Sequence, residues 1–219
     1  MSSSGCISTF SNGPERRFLY SFFAELYSRE VTVDTLLRLR HLEVNVSDRS
    51  PIAVAIAGMR DAVENDESDD RLIENLAVDF ANIFLGANLS SRGAYPYESV
   101  YTSPEGLLRQ DSTDEVLHAY RLEGLGQGME GNVPDDHIAL EFSFMDYLIA
   151  VECEASKQGD VDRAGEYVDK QRQFFFDHID CWVQPFFSAG KEIAKTMFYR
   201  QLFVATEEFM LVEKAHLLK

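Results

Sequence analysis

Two acid–histidine pairs have residue types and a spacing suited to chemistry. Glu115 and His118 have the Glu-x-x-His spacing of half a di-iron carboxylate site, and His137 and Glu141 lie one helical turn apart. A helical di-iron site also needs a second Glu-x-x-His and two more carboxylates that face inward. We therefore expect solvated or core-edge histidines and no bound metal, with a helical metal-binding enzyme as the alternative.

The stretch from Asn132 to Glu141 is the strongest polar cluster of the chain. Pro134 suits the first turn of a helix capped by Asn132, and Asp135 and Asp136 near the first amides would each stabilise it by about 0.3–1 kcal/mol. The same acids, beside an aromatic-rich loop, could instead hold the basic side chains of a peptide. The residues alone leave the helix cap and the peptide site both open.

Glycines between residues 124 and 131 include the pattern G-x-G-x-x-G. A dinucleotide fingerprint must follow a strand, whereas a helical pattern precedes these glycines, so we interpret residues 124–133 as a flexible hinge. The hinge divides one globular unit into an N-terminal helical part, residues 1–123, and a C-terminal helical part, residues 134–219. Nucleotide binding by the glycines remains an alternative.

Composition excludes several classes of protein. The chain of 219 residues carries 20 Lys and Arg against 37 Asp and Glu, a formal charge of −17, which disfavours nucleic acid and favours basic partners. Three cysteines without a C-x-x-C spacing predict neither a disulfide framework nor a zinc site. Nucleophile-elbow and P-loop signatures are absent, and no apolar run suits a membrane span, so we expect a cytoplasmic protein.

Apolar residues recur with helical periodicity along most of the chain, and no hairpin signal interrupts them. The pattern predicts an all-α fold, a multi-helix bundle of roughly nine to eleven helices in two sub-parts. The irregular, aromatic segment 87–104 is predicted to be an ordered functional loop. Predicted helices include one with the stripe Leu19, Phe22, Phe23, Leu26 and Tyr27, one from Leu72 to Phe84, one from Pro134 to about Lys157, and a last one from about Lys191 to Ala215.

Arg16 and Arg17, followed by Phe18, are similar to the arginine pair of an export signal. Glu25 and Glu30 follow within two or three turns, where a signal needs an uncharged apolar stretch. The pair is therefore predicted to lie in an ordinary helix.

Four stretches together resemble the TorD/DmsD/NarJ family of redox-enzyme maturation chaperones. Pro134-Asp-Asp-His137, followed by Ile-Ala-Leu-Glu-Phe, is similar to the family signature E-P-x-D-H, with Val133 where the signature has glutamate. The other three stretches are Phe23-Ala-Glu-Leu-Tyr27, Asp79-Phe-Ala-Asn-Ile-Phe-Leu-Gly86 and Pro96-Tyr-Glu-Ser-Val-Tyr101. Their order and approximate spacing also agree. With the terminal stretch around Phe175, His178, Trp182 and Phe198-Tyr199 included, the resemblance covers nearly the whole chain.

The resemblance implies a chaperone without catalytic turnover or cofactor, which binds the twin-arginine signal peptide or the apo form of a molybdopterin-dependent oxidoreductase. It would assist maturation, cofactor insertion and export proofreading. We expect a monomer or a homodimer, and the flexible hinge would permit two chains to exchange halves. GTP binding is an added property considered for relatives. The peptide-binding residues implied are Asp136 and His137 foremost, with Pro134, Asp135, Phe80, Ile83, Phe84, Tyr97 and Tyr101.

Overall fold

The computed structural model describes residues 12–44, 50–64, 68–87, 93–126 and 133–219. Within these ranges the chain forms ten α-helices and one π-helical turn, and no strand, which confirms the predicted all-α bundle. No helix in the described part is long and apolar enough to cross a bilayer. The helices are α1 Gly13–Ser28, α2 Val33–Arg40, α3 Pro51–Val63, α4 Asp69–Phe84, α5 Glu98–Thr102, α6 Asp111–Leu122, α7 Ile138–Gln158, α8 Val161–Phe174, α9 Val183–Ile193 and α10 Met197–Leu217, with the π-helical turn at Phe175–Ile179.

The core lies where α1 packs along α7 and α3 packs along α10. The predicted stripe of α1 faces this core, and Tyr27 at its end is fully buried. Its ring contacts Phe84, Phe142, Phe186 and Phe203 with centroids 5.7–6.3 Å apart. Aromatic rings from five helices thus meet at one point, which holds both halves of the sequence in a single core.

Asp79 shows how one of the recognised motifs supports the fold. Its carboxylate is 2% exposed and accepts hydrogen bonds from the backbone N–H groups of Lys195 and Thr196 at 2.8–3.1 Å. These amides belong to the two residues directly before α10, Thr196 being its N-cap. The side chain from α4 therefore fixes the position of α10.

Several predicted helix boundaries are wrong. Helix α7 begins at Ile138, with His137 as its N-cap, and not at Pro134; the expected cap Asn132 lies outside the described residues. The segment predicted to be irregular contains the short helix α5. The last helix begins at Met197 because α9 continues through Gly190 to Ile193 and a break follows.

The predicted hinge lies partly outside the described residues, since 127–132 are not described. Gly124 and Gly126 directly before them have φ values of +74° and +82°, in the left-handed region that glycine adopts without strain. The helix α6 precedes these glycines, as predicted. The division into two parts and the hinge stay predictions.

Candidate peptide-binding site

Two of the recognised motifs meet in space through their backbones. The N–H of Ile138 donates to the carbonyl of Pro96 at 2.9 Å, and the N–H of Glu98 donates to the carbonyl of Asp136 at 3.0 Å. The carboxylate of Asp136 also accepts a hydrogen bond from the N–H of Ser99 at 2.8 Å. Asp136 is therefore a helix cap, but its helix is α5 and not the helix that follows it in sequence.

His137 joins the same contact from the start of α7. Its Nδ1 accepts a hydrogen bond from the N–H of Ala139 at 3.1 Å, so the ring is neutral and carries its proton on Nε2. The ring of Tyr97 lies edge-on at a centroid distance of 5.0 Å. Burial lowers the pKa of His137 to about 4, although the neighbouring carboxylate of Asp136 acts in the opposite direction.

This buried histidine predicts a specific loss of stability in acid. The unfolded chain protonates His137 near pH 6.5 and the folded chain only near pH 4, so stability falls as the pH falls through that window. Replacing His137 by Asn keeps a side-chain acceptor for the N–H of Ala139 and removes the group that is protonated in this pH range. Between pH 7 and pH 5 we expect the wild type to lose about 2 kcal/mol more unfolding free energy than His137→Asn, measured by urea denaturation. Equal losses in both proteins would contradict this assignment.

Three carboxyl groups lie buried beside this contact. Asp136 and Glu141 are 0% exposed and Glu98 is 3% exposed. The indole N–H of Trp182 donates to Glu141 at 3.3 Å and to the carbonyl of His178 at 2.6 Å. Burial raises the pKa of Glu141 well above its usual value, and repulsion from Glu98 and Asp136 raises it further. One oxygen of Asp136 and one of Glu141 have no hydrogen-bond partner.

Glu98 connects these carboxyl groups to the neighbouring surface. Its carboxylate lies 3.2 Å from Nδ1 of His178 and 3.8 Å from the thiol of Cys181. Burial raises the pKa of Glu98, with further increases from Asp136 and Glu115, while His178 lowers it. His178, in the π-helical turn, and Cys181, just after it, thus contact Glu98 on this side.

A cleft of about 970 Å³ lies beyond His178, between α6, α7 and α8. Its floor is apolar, with the rings of Phe144 and Phe174 and the side chain of Leu148. The carboxylates of Asp114, Glu115 and Asp177 line its edge and are exposed. The cleft therefore combines an apolar surface with an acidic rim, which suits a peptide that has both basic and apolar residues.

The structure brings only some of the predicted peptide-binding residues to one place. Pro134, Asp135, Asp136, His137 and Tyr97 share the contact between the two motifs. Pro134, Asp136 and His137 are buried there, whereas Asp135 and Tyr97 remain partly exposed.

The remaining predicted residues lie behind this contact. Tyr101 is partly exposed and stacks on Trp182, with centroids 5.5 Å apart. Phe80, Ile83 and Phe84 are buried in the core, 6%, 0% and 2% exposed. Phe186 lies between the rings of Tyr101 and Phe84. These core residues support the site from behind and do not form its surface in this conformation.

Sequence reasoning missed Glu98 and Asp177 and did not show that Glu141 lies next to Glu98. Glu98 stands inside the recognised stretch from Pro96 to Tyr101, and Glu141 follows His137 by one turn, but neither spacing shows that the two carboxyl groups become neighbours. Asp177 has no local signal at all, because the π-helical turn that places it at the cleft is not visible in the apolar pattern.

The structure places the two acid–histidine pairs of the metal hypothesis in different surroundings. The described residues contain no group of three or more His, Cys, Asp or Glu side chains that could hold a metal ion. Glu115 and His118 line the cleft, whereas the Nδ1 of His137 is occupied by an amide. A second pair with the Glu-x-x-His spacing is present after all, Glu213 and His216, but its carboxylate accepts hydrogen bonds from Arg16.

Comparison with known proteins identifies the family. The sequence profile of the nitrate reductase delta subunit family matches residues 46–188, which is more than half of the chain. The chain belongs to the nitrate reductase delta subunit family. The predicted resemblance to the TorD/DmsD/NarJ chaperones is thereby confirmed.

Relatives within this family carry a chaperone name. The chain is 26% identical over 190 residues to the chaperone protein TorD of Aliivibrio fischeri, with 84% of this chain and 86% of the relative covered. It is 25% identical over 211 residues to the chaperone protein TorD of Vibrio parahaemolyticus, with 93% and 95% covered. The likeness to these relatives therefore extends over nearly the whole chain, as the sequence resemblance predicts.

Proposed function

We propose that this protein is a cytoplasmic maturation chaperone, without catalytic turnover, for the catalytic subunit of a molybdopterin-dependent oxidoreductase. It binds the twin-arginine signal peptide of that subunit, holds the apo form ready for cofactor insertion and delays export. Membership of the nitrate reductase delta subunit family and relatives named chaperone protein TorD support the chaperone activity. The acid-rimmed cleft is the single observation that supports a peptide as its ligand.

The chemistry of the cleft fits a peptide that contains arginine. Among the described residues, no basic side chain lies within ion-pair distance of the carboxylates of Asp114, Glu115 or Asp177. The lysine of the lining, Lys170, pairs instead with Glu123 at 2.8 Å and with Glu166 at 2.7 Å. Three free carboxylates can therefore accept guanidinium hydrogen bonds, which are the stronger, charge-assisted kind.

The floor of the cleft supplies the second requirement of a signal peptide. Phe144 and Phe174 lie at a ring distance of 4.7 Å, and exposed Leu122 extends the apolar surface along α6. An apolar helix that follows an arginine pair could pack on this surface. The net charge of −17 attracts the basic end of such a peptide from solution.

Asp136 and His137 take a supporting role in this proposal. They hold the segment from Pro96 to Ser99 against the start of α7, and so position Glu98 beside the cleft. Asp135 and Tyr97 at the same contact, and Tyr101 behind it, are partly exposed and would extend the binding surface beyond the cleft. Asp136 and His137 thus act mainly by positioning other residues of the site.

Calorimetric titration with twin-arginine leader peptides from molybdoenzymes of the same genome tests the proposal. We expect one leader to bind with a Kd of about 1 μM or tighter, and its Lys-Lys variant to bind about tenfold more weakly, because a lysine cannot form the bidentate contacts of arginine. Binding should weaken as salt increases. No binding by any leader at low salt would contradict the proposal.

A further inference from the structure

In the described part of the chain, the carboxyl groups behind the cleft have no lysine or arginine partner, and the imidazole of His178 contacts one of them. Among the described residues, no lysine or arginine lies within hydrogen-bond distance of Glu98, Glu141 or Asp136, although all three are buried. Their hydrogen bonds come from a backbone N–H, an imidazole, an indole and a thiol. Burial without compensation is costly for carboxyl groups, so this arrangement calls for an explanation.

Two oxygens in the cluster are unpaired. Oδ1 of Asp136 and Oε1 of Glu141 are buried and have no hydrogen-bond partner, while the other oxygen of each group has one. Native proteins satisfy most buried polar atoms, and exceptions tend to have a functional reason. Here the exceptions lie in the same cluster as Glu98, which contacts His178 of the cleft lining.

The wall between the cleft and the cluster is thin. His178 lines the cleft and contacts Glu98 at 3.2 Å, and the exposed Cys181 lies 3.8 Å from the other oxygen of Glu98. Both residues lie in or next to the π-helical turn Phe175–Ile179. π-helical turns are frequent at functional sites, and their backbone hydrogen bonds are less regular than those of an α-helix. The segment between the cleft and the carboxyl cluster is therefore a place where the side chain of His178 can move.

We propose that Glu98 and Glu141 form an inner subsite for a guanidinium group, which the ring of His178 closes in the free protein and an arginine of the client peptide opens. The inference rests on the proposed function and specifies where one of the two arginines binds. Planar guanidinium offers five donors, enough to satisfy the open oxygens of the cluster, whereas an ammonium group offers three in a different geometry.

This subsite predicts that peptide binding releases a proton. Burial raises the pKa of Glu98 and of Glu141, so the free protein retains protons on this pair above the usual value of 4.5. A bound guanidinium favours the ionised carboxylates and expels the proton, so affinity should increase as the pH rises through the range above 4.5. The titratable groups facing the pair are Asp136 before α7, Glu115 and Tyr120 on α6, and His178 and Cys181 at the π-helical turn.

The test is calorimetric titration of the arginine leader peptide in two buffers of different ionisation enthalpy at about pH 6, with wild type and Glu98→Gln. Gln keeps the hydrogen bond to His178 and has the size of the protonated acid. We expect the wild type to release about 0.5–1 proton per peptide, and Glu98→Gln to bind at least about tenfold more weakly with less release. The control Glu74→Gln, an exposed acid of α4, should match the wild type.

The outcomes separate the two proposals. Unchanged affinity and proton release in Glu98→Gln would overturn the inner subsite but leave the chaperone proposal standing. Release of less than about 0.1 proton by the wild type would also overturn it, even if the variant fails to fold. Absence of any peptide binding to the wild type would overturn the proposed function and the subsite together.

Discussion

Replacing Arg16 by Met is expected to lower the free energy of unfolding by about 3–5 kcal/mol, because the change leaves a buried charge without its partner. The guanidinium is 2% exposed and donates to Glu213 at 2.9 Å and 3.1 Å and to Gln171 at 2.7 Å. Tyr20 donates to the same carboxylate at 3.1 Å. One network therefore joins α1, α8 and α10, and removal of its cation leaves Glu213 desolvated.

The neighbouring residue provides a matched control. Arg17 lies on the same helix but is 44% exposed and pairs with Asp146 alone, so Arg17→Met should cost less than about 1 kcal/mol. Urea denaturation at neutral pH measures both variants under the same conditions. A difference of less than 1 kcal/mol between them would show that the buried network is not what holds these helices together.

Neutralising the cleft rim is expected to weaken binding of an arginine leader peptide by about 30-fold or more. The variant combines Asp114→Asn, Glu115→Gln and Asp177→Asn, which removes three exposed carboxylates that face the cleft. Each charge-assisted contact at an exposed position contributes roughly 0.5–1 kcal/mol, and the three together account for the effect. Because all three side chains are exposed, the fold should not change.

A second triple variant separates local contacts from overall charge. Glu74→Gln, Glu192→Gln and Glu208→Gln remove the same number of charges from α4, α9 and α10, away from the cleft. We expect this control to weaken binding less than about threefold, through slower association alone. Equal losses in both triple variants, measured by calorimetry at moderate salt, would show that net charge and not the cleft attracts the peptide.

The helical bundle could be predicted because periodicity is a local property of the sequence. The stripe of α1 ends at Tyr27 in the core as predicted, and α4 ends at Phe84, followed by a left-handed Gly86. The start of α7 could not be predicted in the same way. Pro134 and the aspartates after it have the composition of a helix start, but Asp136 caps α5 across space, and only tertiary structure reveals that partner.

The motif residues of the candidate site were named from the sequence, whereas two of its acidic residues were not. Asp136 and His137 were identified from a motif, and both lie where two motifs meet. Glu98 and Asp177 are far apart in sequence, and only the tertiary structure places Glu98 against His178, which lines the same cleft as Asp177. Such a long-range arrangement leaves no periodic signal in one sequence.

Hydrogen–deuterium exchange of the protein with and without an arginine leader peptide tests the central claim most directly, since it locates the bound peptide on the chain. The account predicts slower exchange in α6, in the second half of α8 and in the π-helical turn Phe175–Ile179, with little change in α2 and α3. Protection confined to α2, α3 or the far end of α10, with none along the cleft, would contradict it.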